Sequence, residues 1–162
     1  MKILQICHRV PYPAVDGGNI AMMNMALSLV QAGNEVYQFS LNTSRHYIDP
    51  AVLPEELKDK LHMTASYIDT KVKAVDAFLN LFSHHSYNMV RFFSMPVAND
   101  LSKILDKHKF DVIQLETLYC TPYIETIRKY SKAKIVLRSH NVEHIIWQRL
   151  AISEKNKIKK SY

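Results

Sequence analysis

Lys2-Ile-Leu-Gln-Ile-Cys7, His8-Arg-Val-Pro-Tyr-Pro-Ala-Val-Asp-Gly-Gly18 and Glu35-Val-Tyr-Gln-Phe-Ser-Leu41 decide the fold between them. The first is a short, nearly continuous apolar run, the pattern of a strand buried on both faces of a parallel sheet. The second carries Pro11 and Pro13, which fix extended backbone, and then a glycine pair free to turn. From Asn19 to Ala32 the residues Ile20, Met23, Leu27 and Val30 recur at helical spacing, which predicts a helix with these four turned inward. Asp16 or Asn19 can cap its start, and Gly33 supplies a left-handed stop. The third stretch returns as a strand, so the first 41 residues form a βαβ unit, whose crossover is right-handed.

The alternation continues along the chain. Pro54 with Glu55 and Glu56 predicts a short helix, because proline suits a first turn and acids suit the positive helix end. Met63 to Ile68 reads as a third strand. Val72, Val75, Phe78, Leu79 and Phe82 fall on one helical stripe, read as groove lining or core. Pro96 to Lys109 is predicted as a helix with Val97, Leu101, Ile104 and Leu105 inward. Phe110 to Glu116 is a buried strand, Pro122 to Lys132 a helix, and Lys134 to Ser139 a strand. A last helix runs from Val142 at least to Ile152, with Ile146 and Leu150 as core. This order predicts an α/β fold with a doubly wound, Rossmann-like parallel sheet, and residues 1–162 are read as a single domain.

Composition narrows the function. With 162 residues, 48% hydrophobic and 22% charged, the chain holds one full core and no second nucleotide-binding domain. Three Gly, six Pro and two Cys exclude collagenous, low-complexity and disulfide-scaffold classes. Cys7 and Cys120 read as reduced packing residues of a cytosolic protein. No run is long enough to span a bilayer, and the N-terminus reads as a strand rather than a signal peptide. The net charge of +6 is concentrated in the tail; without the four Lys and one Glu from residue 154 onward it is +3. The body of the domain therefore carries no nucleic-acid footprint. The basic last helix, with Lys155, Lys157, Lys159 and Lys160, leaves open a peripheral contact with an anionic membrane, against the plainer reading of a solvated helix end.

In doubly wound sheets ligands bind beyond the carboxyl ends of the strands, and polar residues gather there in this sequence. His8, Arg9, Asp16, Gly17, Gly18 and Asn19 follow the first strand, Glu116 ends a later one, and His140 and Asn141 follow the last. A glycine pair opening a helix turns backbone N–H groups and the positive helix end toward an anion such as a diphosphate. The spacing fits neither a G-x-G-x-x-G fingerprint nor a P-loop, and a plain turn is an equal account of it. Glu116 can orient an acceptor hydroxyl or act as a helper base, or be only a solvated or capping acid. His84, His85 and His144 lack the spacing of a metal set, so no metal is expected.

Taken together, Arg9-Val-Pro-Tyr-Pro13, Asp16-Gly-Gly-Asn19, Leu29-Val-Gln-Ala-Gly-Asn-Glu-Val36, Phe110-Asp-Val-Ile-Gln-Leu-Glu116 and Arg138-Ser-His-Asn-Val-Glu143 resemble the N-terminal half of a retaining glycosyltransferase of the large group 1 type. The resemblance spans nearly the whole chain. It implies the acceptor-binding half of a GT-B architecture of two facing Rossmann-like domains. The C-terminal donor-binding domain, with its paired-glutamate motif, has no counterpart in this sequence, so the chain alone is expected to be inactive. Gly17, Gly18 and Asn19 resemble the loop that approaches the donor phosphates, and His140 the histidine beside the reacting sugar carbon. With Glu116, His140 forms the expected catalytic set, while Arg9, Asp16 and Asn141 are expected to meet the acceptor. The ring of His140 is expected to be an exposed groove residue.

The implied function is transfer of a sugar from a nucleotide-sugar donor to a glycan or glycolipid acceptor, in cell-surface polysaccharide synthesis. The implied place is the cytoplasm, at or near the inner face of the membrane. The donor is a co-substrate, and no cofactor is expected. Charge in such a transfer develops on the leaving diphosphate, so donors that take it up matter more than a protein nucleophile. Two other readings fit the same residues: a non-catalytic module that holds a phosphorylated or sugar ligand, and a peripheral membrane adaptor.

Overall fold

A computed structural model describes residues 1–80, 82–83, 86–140 and 143–153. Five strands, β1 (Lys2–Cys7), β2 (Glu35–Thr43), β3 (Thr64–Ile68), β4 (Val112–Glu116) and β5 (Lys134–Arg138), form one sheet in the order β3-β2-β1-β4-β5. Every neighbouring pair is parallel. Helices connect them: α1 (Gly17–Gln31), α2 (Glu55–Lys60), α3 (Ala74–Asn80), α4 (Tyr87–Val90), α5 (Met95–Lys107), α6 (Ile124–Tyr130) and α7 (Glu143–Ser153). This is the doubly wound α/β fold that the alternation predicts. The chain steps outward from β1 to β3, then crosses to β4 on the other side of β1. That reversal opens a crevice between the carboxyl ends of β1 and β4.

The two faces of the sheet differ. Leu4, Ile6, Phe39, Leu41, Ile113 and Leu115 pack beneath Val97, Leu101 and Leu105 of α5 and Ile127 of α6, forming the main apolar core. Met23 and Ala26 of α1 join Val36 and Leu61 in a smaller cluster. The other parity of the central strands is polar and buried: Gln5 and Gln38 are fully enclosed and lie opposite one another in register. Cys7 and Cys120 are buried and unbridged. Gly33 takes φ +80°, a conformation that suits glycine, and ends α1 as its position predicts.

Three expectations about buried faces need correction. Ile20 is 41% exposed, and α1 buries Asn19, Met22, Met23 and Ala26 instead. The cause is polar: Gln5 Nε2 donates to the carbonyl of Met22 and Arg138 Nη1 to that of Ala21, which turns this side of the helix to the sheet. The stripe Val72, Val75, Phe78, Leu79 and Phe82 is not core, Phe78 being 61% exposed. The seven residues of α3 follow edge strand β3 and find no apolar layer to cover among the described residues. Ile146 is 38% exposed, because β5 is the other edge and leaves its own Val136 and Leu137 uncovered. The helix expected from Pro122 begins at Ile124, because Pro122 belongs to a 3-10 turn, Leu118–Tyr123, that precedes α6.

Candidate functional site

Glu116, the last residue of β4, is fully buried, which excludes a solvated acid at the strand end. Its Oε1 accepts from Gln5 Nε2 at 2.7 Å, from Gln114 Nε2 at 2.5 Å and from Arg138 Nη1 at 3.3 Å. Its Oε2 accepts from Arg138 Nη1 at 3.0 Å and meets His140 Nε2 at 2.5 Å. Gln38 Nε2 in turn donates to Gln5 Oε1 at 2.8 Å. One polar row therefore crosses β2, β1, β4 and β5 under the first turns of α1. A carboxylate offers only acceptors, so Nε2 of His140 is the protonated nitrogen in this contact. The His140 side chain is 11% exposed, so it is a mostly enclosed group and not the open groove residue expected.

The glycine loop faces this row. Asp16 caps α1, its Oδ1 accepting from the Asn19 amide at 3.0 Å and from Arg9 Nη2 at 2.6 Å. These contacts, the Asn19 amide foremost and then the Arg9 charge, hold the Asp16 carboxyl below its usual range. Asn19 Nδ2 donates to the Pro13 carbonyl at 3.0 Å. Arg9, Asp16 and Asn19 thus brace the loop against itself, and the Asn19 amide is not free for a ligand. A Cβ on Gly18 would come within 2.9 Å of Arg9 Nη2, whereas Gly17 faces open space. Gly17, Gly18, Ala21, Arg138, Ser139 and His140 line a cavity of about 420 Å³. Asn141 lies outside the described residues, as do His84, His85 and the lysine run of the tail.

A second cavity, of about 490 Å³, opens over the carboxyl ends of β1 and β2. His8, Thr43, Thr70, Phe92 and Tyr119 lie in its lining, together with the cationic side chains Arg9, Arg45, Lys71 and Arg91. His8 sits between the two cavities, its ring 6.5 Å from that of His140 and 6.2 Å from that of Tyr119. Burial, with Arg9 and His140 adding like charge, lowers the His8 pKa to about 4, so the ring is neutral at pH 7. His46 shifts the same way, through burial and then Arg9 and Arg45. Thr117, next to Glu116, is buried at φ +85°, a strained position for a β-branched residue.

Of the expected residues, the structure brings Gly17, Gly18, Glu116 and His140 to one place and gives Arg9 and Asp16 to each other. Sequence reading missed Gln5, Gln38, Gln114 and Arg138, although a glutamine recurs inside three apolar strands. It also missed Arg45, Lys71 and Arg91, which no local pattern marks; Thr117 stands among the polar residues that follow a strand, but its positive φ carries no sequence signal. Among the described residues no helix is long and apolar enough to cross a membrane. Comparisons with family models, curated proteins and solved structures gave no match.

Proposed function

We propose that this chain is the acceptor-binding N-terminal domain of a retaining glycosyltransferase that uses a nucleotide-sugar donor and works with a second, donor-binding domain. The supporting observation is the pairing of two cavities at the carboxyl-end edge of the sheet, with His8, at the end of β1, beside both. One holds the glycine loop and the anchored His140, and the other is broad, cationic and aromatic. The order of motifs along the chain supports the same reading. Under it, the donor diphosphate approaches Gly17 and the N-terminal end of α1, where the backbone N–H and the helix dipole take up developing negative charge. His140 reaches the donor sugar, and the acceptor lies in the second cavity.

Glu116 is then a positioning residue. Its oxygens are spent on Gln5, Gln114, Arg138 and His140, so it acts on substrate only through the imidazole that it orients. The leaving diphosphate itself can take the proton of the acceptor hydroxyl, so no protein nucleophile is needed. The acceptor is a glycan or glycolipid of the cell surface, met in the cytoplasm near the membrane. A non-catalytic binding module is the competing reading. The test is transfer from UDP- and GDP-sugars by the parent polypeptide and by its His140→Gln variant, in which an amide nitrogen can keep the bond to Glu116. Loss of transfer by tenfold to about a thousandfold, the range for lost transition-state donors, is expected. Unchanged turnover removes His140 from the site.

A further inference from the structure

We propose that the cavity of about 490 Å³ over β1 and β2 is a phosphate-recognition site, so that the acceptor this domain takes is a phosphorylated one. The inference rests on reading the domain as an acceptor half, and it adds the chemical class of the ligand. Four cationic side chains, Arg9, Arg45, Lys71 and Arg91, line the cavity, and no Asp or Glu does. Arg9 is neutralised by Asp16 at 2.6 Å. Arg45, Lys71 and Arg91 have no ion-pair partner among the described residues.

Unspent hydrogen-bonding groups lie in the same lining. Arg9 Nε, Arg91 Nε and His8 Nδ1 are buried and have no hydrogen-bond partner. Burying guanidinium donors without partners is unfavourable, and an anion with several oxygens is the ligand that guanidinium groups pair with best. Although Asp69 lies near Lys71 and Arg91 Nη1 also donates to the Thr70 carbonyl, three cations outside any ion pair match a dianionic phosphomonoester or a diphosphate better than a neutral sugar or a single carboxylate. The cavity also holds a face for the remainder of the ligand. Phe92 and Tyr119 stand with ring centroids 4.6 Å apart, beside the buried hydroxyls of Thr43 and Thr70. A phosphorylated sugar therefore fits with its phosphate at Arg45, Lys71 and Arg91 and its ring over the aromatic pair.

The test measures binding alone, with no donor present, so its failure is separable from failure of the transferase reading. Glucose 1-phosphate, glucose and inorganic phosphate are titrated into the protein by calorimetry. Vesicles of phosphatidylcholine, with and without phosphatidate, are tested by sedimentation. The expected result is that glucose 1-phosphate binds, inorganic phosphate competes with it, and glucose binds at least tenfold more weakly. Arg45→Ala and Lys71→Ala, both at exposed side chains, should each weaken binding about fivefold, Arg91→Ala more, and Lys132→Ala not at all. Binding to phosphatidate vesicles alone, with the same variant pattern, keeps the phosphate site and assigns its source to a lipid headgroup. Equal binding of glucose and glucose 1-phosphate, no binding of any phosphate probe, or insensitivity to all three cation variants overturns the proposal.

Discussion

Glu116 is the residue on which the site turns, because five donor contacts from four side chains converge on one buried carboxylate. Glu116→Gln puts an amide NH2 against these donors, so we expect a loss of about 1–3 kcal/mol in urea denaturation. Lost stability alone does not show positioning. The distinguishing readout is the His140 tautomer by nitrogen NMR, fixed with Nε2 protonated in the native protein and mixed in the variant; an unchanged tautomer would mean that Glu116 does not orient the ring. His8 sets a pH dependence of stability. Its folded pKa of about 4 lies below the ordinary histidine value of 6.5, so the unfolded chain takes up this proton first. Stability from a neutral His8 is full above pH 6.5 and declines as the pH falls toward 4, by up to about 3 kcal/mol. His8→Asn should flatten this part of the profile between pH 7 and 4.5, whereas Asp16, with its lowered pKa, acts only at more acid pH. An equally steep profile in the variant would contradict the assignment.

At the scale of elements, the first βαβ unit was legible because each of its signals is local. The apolar run of β1, the glycine stop of α1 and the run of β2 depend on neighbours in sequence, and the structure places them within one or two residues of the reading. What was not legible depended on tertiary partners. The buried face of α1 is set by Gln5 and Arg138, residues 17 and 117 positions from the carbonyls they bind. The stripe of α3 has true helical spacing, yet spacing does not say whether a partner layer exists. The glycine loop lies between these cases, since Asp16 was a visible cap while its pairing with Arg9 was not. Asp16→Ala should cost about 1 kcal/mol, the usual worth of a cap, and Asp16→Asn, which keeps the acceptor for the Asn19 amide, clearly less. Equal losses measured by urea denaturation would show that the ion pair, not the cap, holds the loop.

For the whole molecule, strand order converts scattered polar residues into a site. Residues 8, 9, 116 and 140 are far apart in sequence, and the β3-β2-β1-β4-β5 order brings them to one edge. The location of the site was therefore readable from fold class alone, through the rule of the switch point. Its inner structure was not. A row of glutamines and a buried carboxylate look, in sequence, like interruptions of apolar strands, and the cationic cavity is assembled from segments after four different strands. Under the proposed function this domain supplies half of a split transfer site. The most direct measurement compares the parent polypeptide with the 162-residue chain for cleavage of, or transfer from, a panel of UDP- and GDP-sugars. If the site is split, the parent consumes one donor and the chain alone consumes none; turnover by the isolated chain, or inactivity of both on every donor, rules it out.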